Sequence, residues 1–459
     1  MTSLNKYAVS LLLLLLFTAP TSAQPPDTLW MRTYVDGSTS VGYDVRQTDD
    51  DGFIATGMTH YSTQPGDVYL VKTDPYGDVE WTRTYDWNIW SVGYSVRQTD
   101  DGGYIIAGYI CINAPSSEIY LIKTDDQGDT LWTKVYGTDN YDIAEEIQQT
   151  TDGGYIIAGS IEDDVNYVSS AFLLKTDANG DSVWMRIDDD RNCQAHSVIQ
   201  NSEGDYLITG GSEVEAPNYW DAYIMKTDVF GDTIWIKYYG GTFYEYANFI
   251  RETIDGGYFI GGITGSYGAG NFDIYLVRTD ASGDTLWTKT YGGEESDYGE
   301  SVDVTDDGGF VIAGMTNSFG NHNFYLIRTD SSGDSLWTKV IYGEENDWAY
   351  SVQQTTDGGF IVGGGSDSFS TTGGPNMLLI RLKPEYIPPI SDLTISVSGN
   401  NVVLNWQEII AADGYRIYRS NVPYFDIQGM FPYAVTYTNT FVDSNAVGEK
   451  FFYRVTVVY

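Results

Sequence analysis

The stretch that decides the fold runs Asp101-Gly-Gly-Tyr-Ile-Ile-Ala-Gly108 and then, past a loop, Ile119-Tyr-Leu-Ile-Lys-Thr-Asp-Asp-Gln-Gly-Asp-Thr-Leu-Trp132. Its short runs are β-branched, aromatic and aliphatic, and Gly and Asp bound each of them. That is strand and turn chemistry, and no helical period runs through it. With the alternating segment 94–99 ahead of it and 131–135 at its end, the unit reads as four short strands. Asp101-Gly102-Gly103 and Asp125 to Asp129 form two of its turns.

Working outward, the same unit recurs. Trp30, Trp81, Trp132, Trp184, Trp235, Trp287 and Trp337 are spaced 51, 51, 52, 51, 52 and 50 residues apart. Gly-Asp precedes six of them, and Asp-Gly-Gly-aromatic recurs at 101–104, 152–155, 255–258, 307–310 and 357–360. Lys72, Lys123, Lys175, Lys226, Arg278 and Arg328 each open a Lys/Arg-Thr-Asp triplet. Four strands per repeat of this length is the pattern of a β-propeller blade. The chain starts with a Trp strand at 30–34, and no Trp strand follows Met377-Leu-Leu-Ile380. The first strand is therefore expected to complete the last blade from outside, closing an all-β ring of seven blades over 24–384 and removing its open edge.

The Asp-x-x-Gly-Asp-x-x-Trp hairpin resembles the tryptophan-docking hairpins of quinoprotein-like propellers, and more loosely the Asp-box of sialidases. The whole unit is similar to repeats of large secreted bacterial surface proteins. This resemblance implies a fold and leaves the activity open. The vicinal cysteines of quinoprotein dehydrogenases are missing, so no quinone cofactor is expected. Cys111 and Cys193 lie two repeats apart in different registers and read as free thiols.

After a Pro-rich linker at 385–389 the repeat stops. Residues 390–459 resemble a fibronectin type III domain, with Trp406 as its strand-B tryptophan and Tyr453 at the tyrosine corner. Its final strand is not visible, and the chain is expected to be part of a longer protein. At the other end, Lys6, an apolar run from Ala8 to Phe17 and the small residues Thr21-Ser-Ala23 read as an export signal, 1–23. The expectation is therefore a secreted or cell-surface protein with no membrane-spanning segment after cleavage.

The charge narrows the partners. Against 64 Asp+Glu stand 24 Lys+Arg, for a formal net charge of −40, or about −41 once Lys6 is removed. Phosphate neutralisation needs the opposite sign, so nucleic acid is excluded. An anionic membrane surface is equally unsuited. Disorder is excluded too, since 42% of residues are hydrophobic and 15% aromatic, enough for a large core.

Two readings stay open for the recurrent turn acids Asp74, Asp78, Asp125, Asp129, Asp177 and Asp181. They accept main-chain N–H groups in turns, or they bind calcium. No other cofactor or metal motif is visible. Function is sought where the repeats differ, in the crossovers and middle loops. These are acidic and aromatic, and include Trp87, Trp90, Tyr298 and Trp348.

One ring is sharper. Aligning the innermost strands on Val45, Val96, Ile147, Val198, Ile250, Val302 and Val352 places Tyr43, Tyr94, Glu145, His196, Asn248, Glu300 and Tyr350 two residues earlier. These seven are expected to ring the channel mouth on the variable face, opposite the hairpin turns. Tyrosines stack on sugars, and carboxylates and amides bond their hydroxyls. Glu145, Glu300 and His196 are also the candidates for acid–base or metal chemistry. Three functions follow. The first is a binding or adhesion module for a glycan or surface protein, the second a polysaccharide hydrolase or lyase at the channel mouth, and the third a plain spacer, which requires no pocket.

Overall fold

In the computed structural model the described residues are 24–385, except 38, 61–64, 86–88, 113–115, 139, 164–167, 216–218 and 372. Within 393–458, all but 399–400, 408–413, 421–431 and 445–450 are described. The expected export signal, residues 386–389 of the linker and Trp87 lie outside them. Among the described residues the chain is all-β, without a helix, and its repeats form four-stranded antiparallel sheets.

Seven such sheets follow one another. In the second, Ser91–Gln98 pairs with Tyr104–Ile110, then Glu118–Thr124, then Thr130–Tyr136. The last sheet takes its outer strand from the other end of the chain: Thr28–Tyr34 pairs with Asn376–Leu382, Trp30 opposite Arg381 and Tyr34 opposite Met377. Each innermost strand touches the innermost strand of both neighbouring sheets, and Ser40–Gln47 touches Asp347–Gln354, so the arrangement is a closed, propeller-like ring. Apolar clusters fill the seams. At the closing seam Tyr34, Val45, Phe53, Tyr69, Ile361, Met377 and Leu379 are packed together.

The repeated motifs are explained by these seams. Six of the seven Trp residues lie on the glycine of the next Gly-Asp turn, Trp30 on Gly77 and Trp81 on Gly128, where a side chain would collide with the indole. These glycines hold φ near +77°, which a Cβ disfavours. A tyrosine four residues beyond the Trp adds a bond across the seam, as Tyr85 Oη donates to the Gly128 carbonyl at 2.9 Å. The Lys/Arg of each Lys/Arg-Thr-Asp triplet is buried and pairs with an acid of the first hairpin turn. Lys72 meets Asp50 at 2.8 Å, Lys123 meets Asp101 at 2.9 Å, and Arg328 meets Asp307 at 2.7 Å. Breaking such a pair would leave a buried cation alone.

The turn acids also have partners. Asp125 Oδ1 accepts the N–H groups of Gln127 at 3.0 Å and Asp129 at 2.8 Å, and Asp74 and Asp177 repeat the pattern. The second acid of the turn differs from the expectation. Asp78, Asp129 and Asp181 pair with Arg32, Arg83 and Lys134 on the outer strand of the preceding sheet. Glu385, the first residue of the expected linker, accepts from Arg328 at 3.2 Å and from the Trp337 indole, at the seam where no Gly-Asp turn exists.

The C-terminal region forms two three-stranded sheets, with Thr394–Ser398, Asn401–Asn405 and Thr440–Asp443 in one and Ala434–Thr436, Gly414–Ser420 and Phe452–Val458 in the other. They share a core of Leu404, Trp406, Tyr415, Ile417 and Val455. Tyr453 departs from the corner geometry expected of it, since its hydroxyl donates to the Asp443 carboxylate at 2.7 Å.

Candidate functional site

Each innermost strand is the inner edge of its sheet, and its outward N–H groups need partners. The neighbouring sheet supplies them. Val96 N–H donates to Asp44 at 3.0 Å, Val198 N–H to Glu146 at 3.1 Å, and Val45 N–H to Ser351 at 3.2 Å. Ser95, Ser197 and Ser301 serve the next strands in the same way. At the remaining seam the position holds Phe249, which has no acceptor. At six of the seven seams, the residue just after the candidate ring position is thus committed to holding the ring of sheets together.

The candidate residues themselves are set by a bulge. In every innermost strand the pairing skips one residue: Gly42 pairs with Gly57 and Asp44 with Thr56, leaving Tyr43 out of register. The skipped residue is Tyr94, Glu145, His196, Asn248, Glu300 or Tyr350 in the other six. A bulge re-aims its extra side chain, and here it does so seven times into the channel. The glycine opposite makes room. A Cβ on Gly57, Gly108, Gly159, Gly210, Gly262, Gly314 or Gly364 would strike the carbonyl oxygen of the residue two before the bulge, Val41 for Gly57 and Val92 for Gly108.

All seven skipped residues line one cavity of about 310 Å³, and each is half-buried. Their order around the ring divides it into two arcs. Tyr350, Tyr43 and Tyr94 are consecutive, with ring centroids 5.3 and 4.9 Å apart. Glu145, His196, Asn248 and Glu300 complete the circle as a polar arc. Asn248 Nδ2 donates to Glu300 Oε2 at 3.2 Å and to the Gly299 carbonyl at 2.9 Å. Its oxygen therefore accepts from His196 Nδ1, 3.1 Å away, which leaves Nε2 as the unprotonated nitrogen of a neutral ring. Glu145 has no hydrogen bond among the described residues.

The electrostatics separate neighbouring acids. Burial pushes Glu145 up to about 7, with Glu162 and Glu300 adding to it, and burial takes Glu300 up to about 7. Burial lowers His196, outweighing the hydrogen bonds that favour its charged form. Glu146, one residue from Glu145, goes the other way. Burial opposes its charge, but Arg251, Arg97, Ser197 and Arg46 together hold it below the usual carboxylate range. The polar arc therefore carries protons that exchange near neutral pH.

Trp90, Tyr298 and Trp348 do not line this cavity. Trp90 donates its indole N–H to Tyr109 Oη at 3.0 Å, and Tyr109 packs on Tyr94, so Trp90 backs the aromatic arc. Tyr298 packs on Phe272 and Trp348 on His322. Tyr246, from a variable crossover, stacks between His196 and Trp220 of a middle loop behind the polar arc. Both cysteines are free thiols. Among the described residues no three His, Cys, Asp or Glu side chains gather as a metal site, and no helix is long and apolar enough to cross a membrane.

No family model matches the chain. A regulatory protein, FlaEY of Caulobacter vibrioides, is 26% identical over 214 residues, covering 39% of this chain. The match spans 22% of that protein's length. Among solved structures, a protein of unknown function from Dyadobacter fermentans aligns with 10% identity and a TM-score of 0.43, over 78% of this chain and 99% of that one. A fungal alcohol oxidase of the AA5 family in complex with copper gives 11% and 0.46, over 95% and 93%. Sqt1 of Chaetomium thermophilum, bound to the N-terminus of ribosomal protein L10, gives 11% and 0.45, over 83% and 97%.

Proposed function

We propose that this chain is a seven-bladed β-propeller followed by a fibronectin type III-like module, exported to the cell surface or beyond, and that it binds a ligand at the variable-face mouth of its channel. The observation that carries the reading is the seven-fold bulge, which places seven side chains of four kinds in one cavity of about 310 Å³. That volume is at the small end of ligand pockets, about 300–1,000 Å³. Export rests on Lys6, the apolar run after it and the small residues before Gln24.

The two arcs define the ligand class. Tyrosine faces offer stacking to the apolar face of a sugar ring or to a cation. The polar arc offers carboxyl, amide and imidazole groups to hydroxyls. A carbohydrate fits this mouth, and so does a tyrosine- or lysine-bearing loop of a surface protein. A spacer has no use for such a cavity. A glycan array probed with the full chain, followed by titration of each hit against Tyr43→Ala, Tyr94→Ala and Tyr350→Ala, tests the reading. At least a tenfold loss in each variant is expected. Hits that bind all three variants like the parent would refute the mouth as the site.

A second reading has one observation in its favour. Glu145 and Glu300 face the same cavity and both exchange protons near pH 7. With Glu300 adding to the rise at Glu145, one could hold the proton while the other is ionised, as a glycosidase pair requires. Release of reducing ends from an array hit, abolished by Glu145→Gln and by Glu300→Gln, would establish it. Intact glycan after prolonged incubation leaves binding alone.

A further inference from the structure

Three residues further along the innermost strands, about 10 Å deeper, the channel changes character. Arg46, Arg97 and Arg251 enter it together, in a chain where acids outnumber Lys+Arg 64 to 24. Elsewhere Lys123 and Lys175 each have a turn acid to themselves. Here three guanidinium groups share two carboxylates. Asp44 lies 3.1 Å from Arg46 and 2.5 Å from Arg97, while Glu146 lies 2.6 Å from Arg97 and 3.8 Å from Arg251. Asp303, at the same depth, accepts the N–H groups of Val304 and Gln354 and also feels the charges of Arg251 and Arg46.

These arginines line a second opening of about 370 Å³ that also includes Asp100, beside the first hairpin turn, and so lies at the other end of the channel. Four glutamines complete it, and each has already committed its oxygen. Gln98 accepts from Asp49 N–H at 2.9 Å, Gln148 from Gln200 at 2.7 Å, Gln149 from Asp100 at 3.0 Å and Gln353 from Gln47 at 2.7 Å. Among the described residues their amide nitrogens have no acceptor. The opening therefore gathers three guanidinium groups and four amide nitrogens without acceptors, with Glu146 and Asp100 as the acids on its wall.

We propose that this hairpin-side mouth is an oxyanion site, taking the tetrahedral oxygens of sulfate or phosphate, free or as an ester on a larger ligand. Arg46 and Arg251 supply forked donors to two oxygens, and the amides of Gln148 and Gln353 reach the others. The net charge of −40 repels an extended polyanion. A small anion is screened from that field within about 10 Å at 0.1 M salt and meets only the local donors. The two mouths thus have opposite preferences, and they share Arg46, Arg97, Glu146 and Arg251 at the waist between them.

The test is thermal unfolding of the full chain in sodium sulfate and in sodium phosphate, against sodium chloride at matched ionic strength, with calorimetric titration of the same anions. A saturable rise in Tm beyond that in chloride is expected, because a ligand held only by the native state stabilises it. Arg46→Gln and Arg251→Gln should each weaken the anion at least tenfold. Glutamine stands at the equivalent positions 148 and 353, so the strand accepts it. If Arg46→Gln alone destabilises the ring, Arg251→Gln, whose acid is 3.8 Å away, still reports. Lys289→Gln removes the same charge from an outer strand and should leave binding unchanged. Inorganic sulfate and a sulfated oligosaccharide, titrated separately, identify the source. Binding of the free ion assigns it, and binding of the ester alone assigns a larger ligand. No saturable effect from either, or an effect that survives Arg251→Gln undiminished, would overturn the proposal.

Discussion

Replacing Glu145 with Gln should stabilise the protein, and more so at pH 8 than at pH 5. The folded carboxyl protonates at about 7 and the unfolded one near 4.5. The folded state thus holds the proton more tightly, so the contribution of Glu145 is favourable at low pH. It is lost as pH rises from 4.5 through 7. One pH unit of this difference corresponds to about 1.4 kcal/mol. Between pH 5 and pH 8 a fully dry carboxyl would lose about 2.5 kcal/mol relative to Gln. Glu145 is half-buried and partly screened, which reduces the figure to about 1–2 kcal/mol. Unfolding entropy of about 2.1 cal/mol/K per residue over roughly 360 residues converts this into a Tm gain about 1–3 °C larger at pH 8. Scanning calorimetry of parent and Glu145→Gln at both pH values reads it directly. An equal gain at both, or a loss at pH 8, would show that the bulge does not hold this carboxyl out of water. A stabilising substitution is itself informative, because an acid retained against stability points to use.

The remaining predictions concern the frame. Gly108→Ala should drive a methyl onto the Val92 carbonyl, costing about 1–3 kcal/mol and lowering Tm by a few degrees; an unchanged melt would mean the bulge has no need of its glycine. Deleting residues 24–36 removes the outer strand of the last sheet and should abolish the single cooperative transition or cause aggregation, and a truncated chain that melts like the parent would contradict the pairing of Trp30 with Arg381. Chelator should move Tm by less than about 1 °C, since Asp125 already accepts two N–H groups; a saturable rise with calcium that Asp125→Asn removes would instead make the turns metal sites.

The Trp spacing made the repeat, its four strands and the closing strand legible, because each depends on residues that recur at fixed distance. The ring residues were also legible as a set, since they occupy one alignment column. What a sequence does not display is register. A bulge is a pairing offset, and only the strand opposite shows why Tyr43 and Asp44 both reach the channel. A signal was present in retrospect: a glycine ends the core of every second strand, from Gly57 to Gly364. The Lys/Arg-Thr-Asp triplet was visible without its meaning, because its partner lies across a hairpin 22 residues earlier, as Asp101 does for Lys123. The contrast between Glu145 and Glu146 was beyond reach. Adjacent and identical in type, they differ in the arginines, which act on Glu146 and not on Glu145. The second mouth escaped for the same reason, since its three arginines look unremarkable until the ring brings them together.

The central claim is that the seven bulged residues form a ligand pocket on the variable face. It is tested most directly by a crystal structure of the full chain soaked with the tightest array hit. Density is expected in the mouth, with the ligand against Tyr350, Tyr43 and Tyr94 and its polar groups within hydrogen-bonding distance of Glu145 or Glu300. Density for the ligand elsewhere on the molecule, with the mouth holding only solvent, would contradict it.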